Sequence, residues 1–372
     1  MHIEPFGVEI WMNEWETRCE LNLAETCVQS VTVGELLELA GADARRLDEL
    51  LPMKLTYGDI EGSPELRAAV AGLFGRQSPD NVVITHGTIG ANMLVHKTLV
   101  GPGDRVVAIT PTYQQHYSIP ESIGAEVHQL QLRPEDRWLP DLDELRRQTA
   151  DGARLIALTN PNNPTGALID RPMLEGIAEI ARAADAWVLC DEVYRGTDED
   201  GSGTTVSMAD VYERGISTGS MSKAYSLAGL RLGWAVAPTE VIEGISVHRD
   251  YDTISVGMID DHFATLALEH GDALLARSRA MTSRNRAILD EWIANEPRIS
   301  WVRPRSGTTA FLEYDVDMPS HELCTAVVKE TGVMLTPGSA LGVEGFVRIG
   351  YANSTDILTE GLERFSAWLE SR

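Results

Sequence analysis

One lysine of this chain lies among small hydroxyl residues, in the segment SMSKAYSLAGLRLGW at positions 220–234. Lys223 precedes Arg231 by eight positions and Gly233 by ten. An amine in this setting can form a Schiff base with a carbonyl compound, and the hydroxyls and the guanidinium can bind a phosphate beside it. An isolated SxSK segment is more often an exposed lysine in a serine-rich loop. The surrounding motifs must therefore decide between the two interpretations.

Two further motifs precede the lysine. DEVY stands at positions 191–194 and begins 32 residues upstream of it, and NPNNPTG occupies positions 160–166. In their order and spacing, NPNNPTG, DEVY, SxSK and the downstream arginine resemble the motifs of the fold-type I pyridoxal-phosphate enzymes, specifically the class I/II aminotransferase superfamily. The resemblance runs over nearly the whole chain. It implies an α/β enzyme with pyridoxal 5'-phosphate as its cofactor, acting on the α-amino group of an amino acid.

The resemblance implies roles for the residues of these motifs. Lys223 would form the Schiff base with the cofactor and later move a proton from the substrate Cα, and we expect nearby cations to lower its pKa. Asp191 would pair with the protonated pyridine nitrogen and keep it cationic, so that the ring accepts electrons. Tyr194 and Asn163 would donate hydrogen bonds to the ring hydroxyl oxygen from two sides. The Asn163–Pro164 bond is also a candidate cis peptide.

The cofactor phosphate needs several donors with little steric bulk. Backbone N–H groups at the start of the helix after the first strand lie at a positive helix end. With hydroxyls and a guanidinium added, the predicted cradle consists of Gly87, Thr88, Ile89, Ser220, Ser222 and Arg231. Tyr113 would stack on the cofactor ring, and Tyr117 is the competing candidate. The alternative for Tyr113 is an ordinary aromatic residue of the loop.

The resemblance also implies residues that bind the substrate or contact a second subunit. Arg348 resembles the family arginine whose planar fork binds the substrate α-carboxylate, the alternative being a surface arginine at a strand edge. Tyr57 resembles the family tyrosine that reaches a neighbouring subunit's phosphate. The region 251–255 resembles the loop that approaches the same site across the interface. The resemblance thus implies a homodimer with shared active sites.

The chain departs from the commonest family pattern near its N-terminus, where LNLA at 21–24 leads into Glu25 instead of a glycine-bearing loop. An acid here could bind and select a cationic or amino-bearing substrate, or it could be a surface acid or a helix cap. This region also resembles the branch that includes capreomycidine synthases and arginine-processing oxidases. His86 and His116 lie near predicted site loops, and either could carry a proton behind the site or simply be packed.

Short β-branched runs alternate with amphipathic helices along the first half of the chain. The predicted strands cover 81–85, 105–109, 155–159 and 187–190, and the predicted helices cover 64–74, 91–99 and 173–183. Continuous apolar strands between helices indicate a mostly parallel sheet covered on both faces. Ligands bind at the carboxyl ends of such strands, so the turns that follow the four strands should converge on one site.

From about residue 269 the pattern changes to that of a smaller α+β unit. A long polar helix is predicted over 273–294, then short strands near 301–302, 309–314 and 346–349, and a closing helix over 356–369. We therefore predict an N-terminal segment (1–50) that packs on the small domain or on a partner subunit, a large cofactor-binding domain (51–268) and a small domain (269–372).

The composition argues against several classes of function. The 372 residues include 56 acidic and 31 basic side chains, for a formal net charge of -25. Such a surface repels phosphate backbones and anionic lipid, which disfavours nucleic-acid and membrane binding. No window approaches a run of about 18 apolar residues, and the acidic first residues do not match a targeting signal, so we expect a cytoplasmic protein. None of the four cysteines has metal-ligand spacing, so we expect no metal.

The motifs identify the cofactor chemistry but not which substrate bond breaks. Transamination to a 2-oxo acid is the expected reaction. The alternatives are specialised biosynthetic reactions, namely cyclisation or oxidation of an arginine-like substrate, decarboxylation-coupled deamination, or β-elimination of a sulfur conjugate. A non-catalytic pyridoxal-phosphate protein is the alternative outside enzymes, and the intact Lys223, Asp191 and Arg348 argue against it.

Overall fold

The computed structural model describes residues 2–41, 47–48, 50–198 and 204–372. In chain order, its strands are β1 (Leu21–Asn22), β2 (Val82–Thr85), β3 (Arg105–Thr110), β4 (Glu126–Gln131), β5 (Leu155–Thr159), β6 (Trp187–Asp191), β7 (Gly215–Ser220), β8 (Gly233–Val236), β9 (Ile299–Trp301), β10 (Thr309–Tyr314), β11 (Val333–Met334), β12 (Thr336–Pro337) and β13 (Phe346–Gly350). Its α-helices are α1 (Gly7–Trp15), α2 (Val33–Leu39), α3 (Pro64–Ala71), α4 (Gly87–Leu99), α5 (Gln115–Ile123), α6 (Leu142–Gln148), α7 (Arg171–Ala183), α8 (Met208–Val211), α9 (Thr239–Arg249), α10 (Met258–Glu269), α11 (Gly271–Asn295), α12 (Ser320–Thr331) and α13 (Thr355–Glu370).

The central sheet has the strand order β2-β8-β7-β6-β5-β3-β4. The strands from β7 to β4 are parallel neighbours, whereas β8 runs antiparallel to both β7 and β2. The α/β fold with a mostly parallel sheet is thus confirmed. The four strands predicted from the sequence are β2, β3, β5 and β6, with bounds that differ by at most one residue. The sequence analysis does not predict β4, β7 or β8.

The central strands are buried on both faces, which explains their continuous apolar sequences. Ile156 and Leu158 of β5 pack with α7, while Leu155 of the same strand packs with α4 and α9 on the other face. Because neither face of β5 meets water, apolar and polar residues do not alternate along it. At its carboxyl end the chain turns polar with Thr159 and Asn160, and both residues are still buried.

The helices begin at recognisable start signals. The side chain of Asp170 accepts a hydrogen bond from the N–H of Met173 at 3.2 Å, and Pro172 lies in the first turn of α7. Helix α4 begins at Gly87, immediately after β2, so its free N–H groups lie at the carboxyl edge of the sheet. Among the described residues, no helix combines the length and the apolar composition that crossing a membrane requires.

A second, antiparallel sheet with the order β12-β13-β10-β9 follows in the C-terminal part of the chain. The predicted long helix and closing helix are α11 and α13, and both pack on this sheet together with α12. Strand β1 pairs in parallel with β11, and Trp11 donates its Nε1–H to the Leu335 carbonyl at 2.8 Å. The N-terminal residues from α1 to β1 therefore pack with the small sheet. The domain bounds at 50 and 268 stay a prediction.

The loop 160–166 follows β5 of the central sheet and packs against residues at the start of β10 in the small sheet. Gly166 has a φ of +67°, and a Cβ there would collide with Pro304 and with the Thr309 carbonyl. Glycine is required at this close approach because any side chain would separate the two sheets. The Asn163–Pro164 peptide bond is cis, as predicted.

Candidate active site

A cavity of about 500 Å³ opens at the carboxyl edge of the central sheet. Residues that end or follow β2, β3, β5, β6 and β7 line it, so the turns expected to converge do meet. The predicted site residues in its lining are Glu25, Gly87, Thr88, Ile89, Tyr113, Asn163, Asp191, Tyr194, Ser220, Ser222, Lys223, Arg231 and Arg348. Tyr57 does not line this cavity, and its side chain is 73% exposed on the surface.

Lys223 follows β7 and reaches the N-terminal segment. Its Nζ donates a hydrogen bond to Thr26 Oγ1 at 2.6 Å and another to Cys27 Sγ at 3.3 Å. Burial alone would lower the pKa of this amine, but the nearby Cys27, Tyr194 and Glu25 raise its pKa above the ordinary lysine value. The expected lowering is therefore wrong for this arrangement of side chains, because the ionisable groups that act on the amine are acids and not cations.

Asp191 is the last residue of β6 and is buried, with 4% of its surface exposed. Asn92 donates a hydrogen bond to Oδ2 at 2.9 Å, and the N–H of Val193 donates to Oδ1 at 3.1 Å. Burial raises the pKa of Asp191 to about 6, although these hydrogen bonds and Lys223 favour the ionised form. An added positive charge would stabilise such a carboxylate strongly, so it can bind a protonated ring nitrogen.

The structure separates the two histidines that the sequence left open. His116 is buried, and its Nε2 lies 3.9 Å from Asp191 Oδ2. Burial lowers the pKa of His116 to about 4, so its ring is neutral at physiological pH. His86 is exposed and does not line the cavity. Of the two, His116 is the one whose ring lies near the carboxylate of Asp191.

The start of α4 forms one wall of the cavity. Gly233 on β8 packs so closely on the backbone of Gly87 and Thr88 that any Cβ there would collide with it. Arg231 also lies at this wall, since a Cβ added to Gly87 would stand 3.4 Å from its Nη2. The buried hydroxyl of Thr88 has no hydrogen-bond partner in the described part of the chain. Helix N–H groups, a free hydroxyl and a guanidinium together form an anion site.

Arg348 reaches the cavity from β13 of the small sheet and is buried, with 3% of its surface exposed. Its Nη1 donates to Asn163 Oδ1 at 3.2 Å, and its Nη2 donates to Thr336 Oγ1 at 3.1 Å and to the Ala24 carbonyl at 3.3 Å. Its Nε has no hydrogen-bond partner among the described residues. A buried guanidinium with an unused donor fits a carboxylate ligand.

Three glutamates from the N-terminal segment also line the cavity, namely Glu9, Glu16 and Glu25. The hydroxyl of Tyr113 donates a hydrogen bond to Glu9 Oε1 at 3.0 Å. Of the two tyrosines considered for stacking, Tyr113 lines the cavity and Tyr117 does not. The N-terminal side of the cavity is thus more acidic than expected from Glu25 alone.

Sequence reasoning missed several residues that line the cavity, namely Glu9, Glu16, Thr26, Cys27 and Asn92. Asn92 had a usable signal, because it lies about one turn after Thr88 on a helix that starts at the cavity. Glu9 and Glu16, which lie in α1 and directly after it, had no such signal in the sequence. Their place in the cavity depends on the packing of the N-terminal segment on the small sheet, which no local pattern predicts.

Comparison with known proteins identifies the family of this chain. The sequence model of one family, Aminotransferase class I and II, matches residues 51–365. The chain belongs to this family. A capreomycidine synthase of Streptomyces vinaceus is 33% identical and aligns with 96% of this chain and 92% of its own length. An aspartate aminotransferase of Thermotoga maritima is 28% identical, with 86% and 85% of the two chains covered.

A solved structure extends this family relationship to the whole fold. The crystal structure of a pyridoxal-phosphate-dependent aminotransferase from Streptococcus suis has a TM-score of 0.97 to this chain at 41% identity. The match covers 100% of this chain and 99% of that one. As a member of the aminotransferase family, the protein is an aminotransferase-like enzyme whose cofactor is pyridoxal phosphate.

The residues present in the cavity fit this cofactor. The buried carboxylate of Asp191 is matched to a protonated ring nitrogen, and Lys223 offers a primary amine to the aldehyde. The start of α4, with the unpartnered hydroxyl of Thr88, is matched to the phosphate. The ring nitrogen, the aldehyde and the phosphate of the cofactor thus each have a complementary group in one cavity.

Proposed function

We propose that this enzyme transfers the α-amino group of an amino acid to a 2-oxo acid. The observation that carries the proposal is the presence of Lys223, Asp191 and Arg348 in the lining of one cavity. These residues provide an amine for the aldehyde, a carboxylate for the ring nitrogen and a guanidinium for the substrate carboxylate. An amino acid and its 2-oxo product share that carboxylate, so one binding mode serves both halves of the exchange.

Bound pyridoxal phosphate supplies an electron sink for the substrate Cα. Asp191 holds the proton on the ring nitrogen, because positive charge favours its buried carboxylate. Asn92 and Val193 fix the orientation of that carboxylate through their hydrogen bonds. Tyr194 and Asn163 hydrogen-bond the ring hydroxyl oxygen, and these roles follow the family resemblance.

The remaining cofactor contacts are proposed for the walls of the cavity. Tyr113 stacks on the ring. The phosphate cradle consists of Gly87, Thr88, Ile89, Ser220, Ser222 and Arg231. The hydroxyl of Thr88 supports this assignment, because it is buried without a hydrogen-bond partner among the described residues and is free to bind a phosphate oxygen.

Lys223 takes the proton from the substrate Cα and returns one when the new amino group is formed. Thr26 and Cys27 hold its amine at 2.6 Å and 3.3 Å, on the side of the N-terminal segment. Arg348 orients the substrate by binding its α-carboxylate, and Asn163 holds the guanidinium in place. Orientation of this kind brings the Cα–H bond to the amine.

A second candidate is a specialised biosynthetic reaction on the same cofactor, such as cyclisation, oxidation or elimination. The observation that favours it is the 33% identity to a capreomycidine synthase over 96% of this chain. The cavity residues described above serve either reaction, because both begin at the substrate Cα.

The test follows the visible absorbance of the cofactor in the holoenzyme as amino acids are added without an acceptor. Under the proposal, a donor bleaches this absorbance and a 2-oxo acid restores it. Lys223→Ala should slow the bleaching by roughly 100- to 10,000-fold, since it removes the group that moves the proton. Lys97→Ala is the control, because Lys97 is exposed on α4 outside the cavity.

Release of ammonia or hydrogen peroxide without any acceptor would contradict transamination and favour the second candidate. A Lys223→Ala variant that reacts at the wild-type rate would contradict the proposed role of this lysine. Both results are read in the same cuvette experiment, with the products analysed afterwards.

We also infer a cytoplasmic homodimer. Large apolar side chains are exposed in the segment that carries Tyr57 and in the region 251–255, including Leu51 at 82%, Leu55 at 81% and Tyr251 at 93%. Exposed apolar groups of this size mark interfaces, and Tyr57 would then contact the partner's phosphate. Sedimentation should give about twice the chain mass of 40.8 kDa, and a monomer would overturn the inference. The four free cysteines support a reducing compartment.

A further inference from the structure

The charges that line the cavity do not cancel once the ligands of the proposed function are assigned. The charged residues in its described lining are Glu9, Glu16, Glu25, Asp191, Lys223, Arg231 and Arg348. Asp191 is taken by the ring nitrogen, Arg231 by the phosphate and Arg348 by the α-carboxylate. Lys223 is engaged with the cofactor. Three glutamates remain without a cationic ligand.

Glu25 lies where a bound amino acid would meet it. Its neighbour Ala24 accepts a hydrogen bond from Arg348 at 3.3 Å, and the N–H of Cys27 donates to Glu25 Oε1 at 2.7 Å. Burial would raise the pKa of Glu25, but Lys223 and the bond from Cys27 bring that pKa below the ordinary value. The carboxylate is therefore ionised at neutral pH, beside the residue proposed to bind the substrate.

Glu16 stands at the C-terminal end of α1, and its position is not explained by the stability of the helix. A negative charge at a helix C-terminus is unfavourable because it faces the negative end of the dipole. The Glu16 carboxylate has no hydrogen-bond partner among the described residues. Burial and the charges of Glu25 and Glu9 raise the pKa of Glu16, and all three carboxylates line the same cavity.

The same cavity contains an independent sign of a ligand. The Nε of Arg348 has no partner in the described part of the chain, although the residue is only 3% exposed. A carboxylate is the group that satisfies such a donor. An amino acid bound there lies in the space that Arg348 shares with the three glutamates.

We propose that this site selects amino acids whose side chain carries a positive charge, an ammonium or a guanidinium, and that Glu16 and Glu25, with Glu9, bind that charge. The proposal rests on the proposed function, because it takes the α-carboxylate to bind at Arg348. A charged hydrogen bond in a partly enclosed site changes affinity by roughly 10- to 100-fold. Loss of one glutamate should therefore lower the preference for cationic donors by that factor.

The experiment compares L-lysine and L-arginine with L-norleucine, an uncharged donor of similar length, on the holoenzyme. Calorimetry gives the dissociation constant of each donor, and the bleaching of the cofactor absorbance gives kcat/KM. The variants are Glu16→Gln and Glu25→Gln. The matched control is Glu14→Gln, because Glu14 is exposed on α1 and does not line the cavity.

The wild type should bind lysine or arginine at least about tenfold more tightly than norleucine. Glu16→Gln and Glu25→Gln should each reduce this preference by roughly 10- to 100-fold. Glu14→Gln should leave the preference unchanged. The better of the two cationic donors identifies an ammonium or a guanidinium site. Equal affinity for norleucine, or a preference unaltered by Glu16→Gln, overturns the proposal. Because Glu16 is exposed, its variant tests the charge even where Glu25→Gln does not fold.

Failure of the proposed function gives a different result. Cationic donors would then bind tightly in calorimetry without bleaching that a 2-oxo acid can reverse. Failure of the inference alone would give reversible bleaching by neutral and cationic donors with equal kcat/KM.

Discussion

The floor and the cover of this active site are built differently. The floor consists of the carboxyl ends of β5, β6 and β7 and the residues that follow them, and the cover consists of residues 7–27. In the floor, Asp191 is 4% exposed and accepts two hydrogen bonds from fixed partners. In the cover, Glu16 is exposed, and its carboxylate has no hydrogen-bond partner within the described ranges.

The difference follows from the cost of removing polar groups from water. A buried carboxylate without partners is strongly destabilising, so each polar group of the floor must be held by neighbours that cannot change independently. A half-exposed carboxylate keeps most of its hydration, and its replacement has little effect on folding. The floor thus suits the binding of one fixed ligand, whereas charged residues of the cover can be replaced with little effect on folding.

The largest effect that would test this comparison is expected from Asp191→Asn. The variant removes the charge that holds the ring nitrogen protonated, so kcat should fall by roughly 100- to 10,000-fold. Because the floor acts on the cofactor, the loss should be the same for cationic and neutral amino acids. Steady-state kinetics with lysine and norleucine measures it.

Asp151→Asn is the control for this variant, because Asp151 is exposed and forms an ion pair with Arg105 at 3.6 Å on the surface. Unequal losses of kcat for lysine and norleucine would contradict this distinction, because they would show that the floor also selects the substrate.

A smaller effect should appear in the stability of the cofactor-free protein. The pKa of Asp191 is about 6 in the folded chain and about 3.9 in an unfolded one, so the folded chain binds this proton more tightly. The stability that Asp191 contributes is then complete below about pH 4 and is lost as the pH rises through about 6. Two pKa units correspond to about 3 kcal/mol.

Urea unfolding of wild type and Asp191→Asn checks this expectation. The difference between their free energies of unfolding should change by up to about 3 kcal/mol between about pH 4 and pH 7, with the wild type losing stability relative to the variant. Glu16→Gln should show a smaller change over that range, because the Glu16 side chain is exposed whereas Asp191 is buried. If the difference in free energy of unfolding between wild type and Asp191→Asn did not change with pH, the burial of Asp191 would carry no such desolvation cost.

Most of the floor could be predicted from the sequence. Asn163, Asp191 and Lys223 each lie just after or at the end of a buried strand, and motif order identified them even though β7 was not predicted. Convergence at one cavity then follows from the parallel arrangement of the strands. The central sheet was recognisable for the same reason, since strands buried on both faces have continuous apolar sequences.

The cover could not be predicted in the same way. Glu25 was identified only as a departure from the family pattern, and Glu9 and Glu16 were missed. Their positions follow from contacts across the chain, such as the pairing of β1 with β11 and the bond of Trp11 to Leu335. Nothing in the composition of residues 7–15 distinguishes this helix from one that packs elsewhere.

The sequence by itself determined the family, the cofactor and the residues of the floor, because these depend on strands and motifs that are local in the chain. The tertiary structure decided the electrostatic surroundings of Lys223. Cys27 and Glu25, almost 200 positions away along the chain, act together with Tyr194 to raise the pKa that the sequence alone led us to expect lowered. Charge interactions fall off with distance in space and not along the chain, so only the fold could show which charges surround this amine.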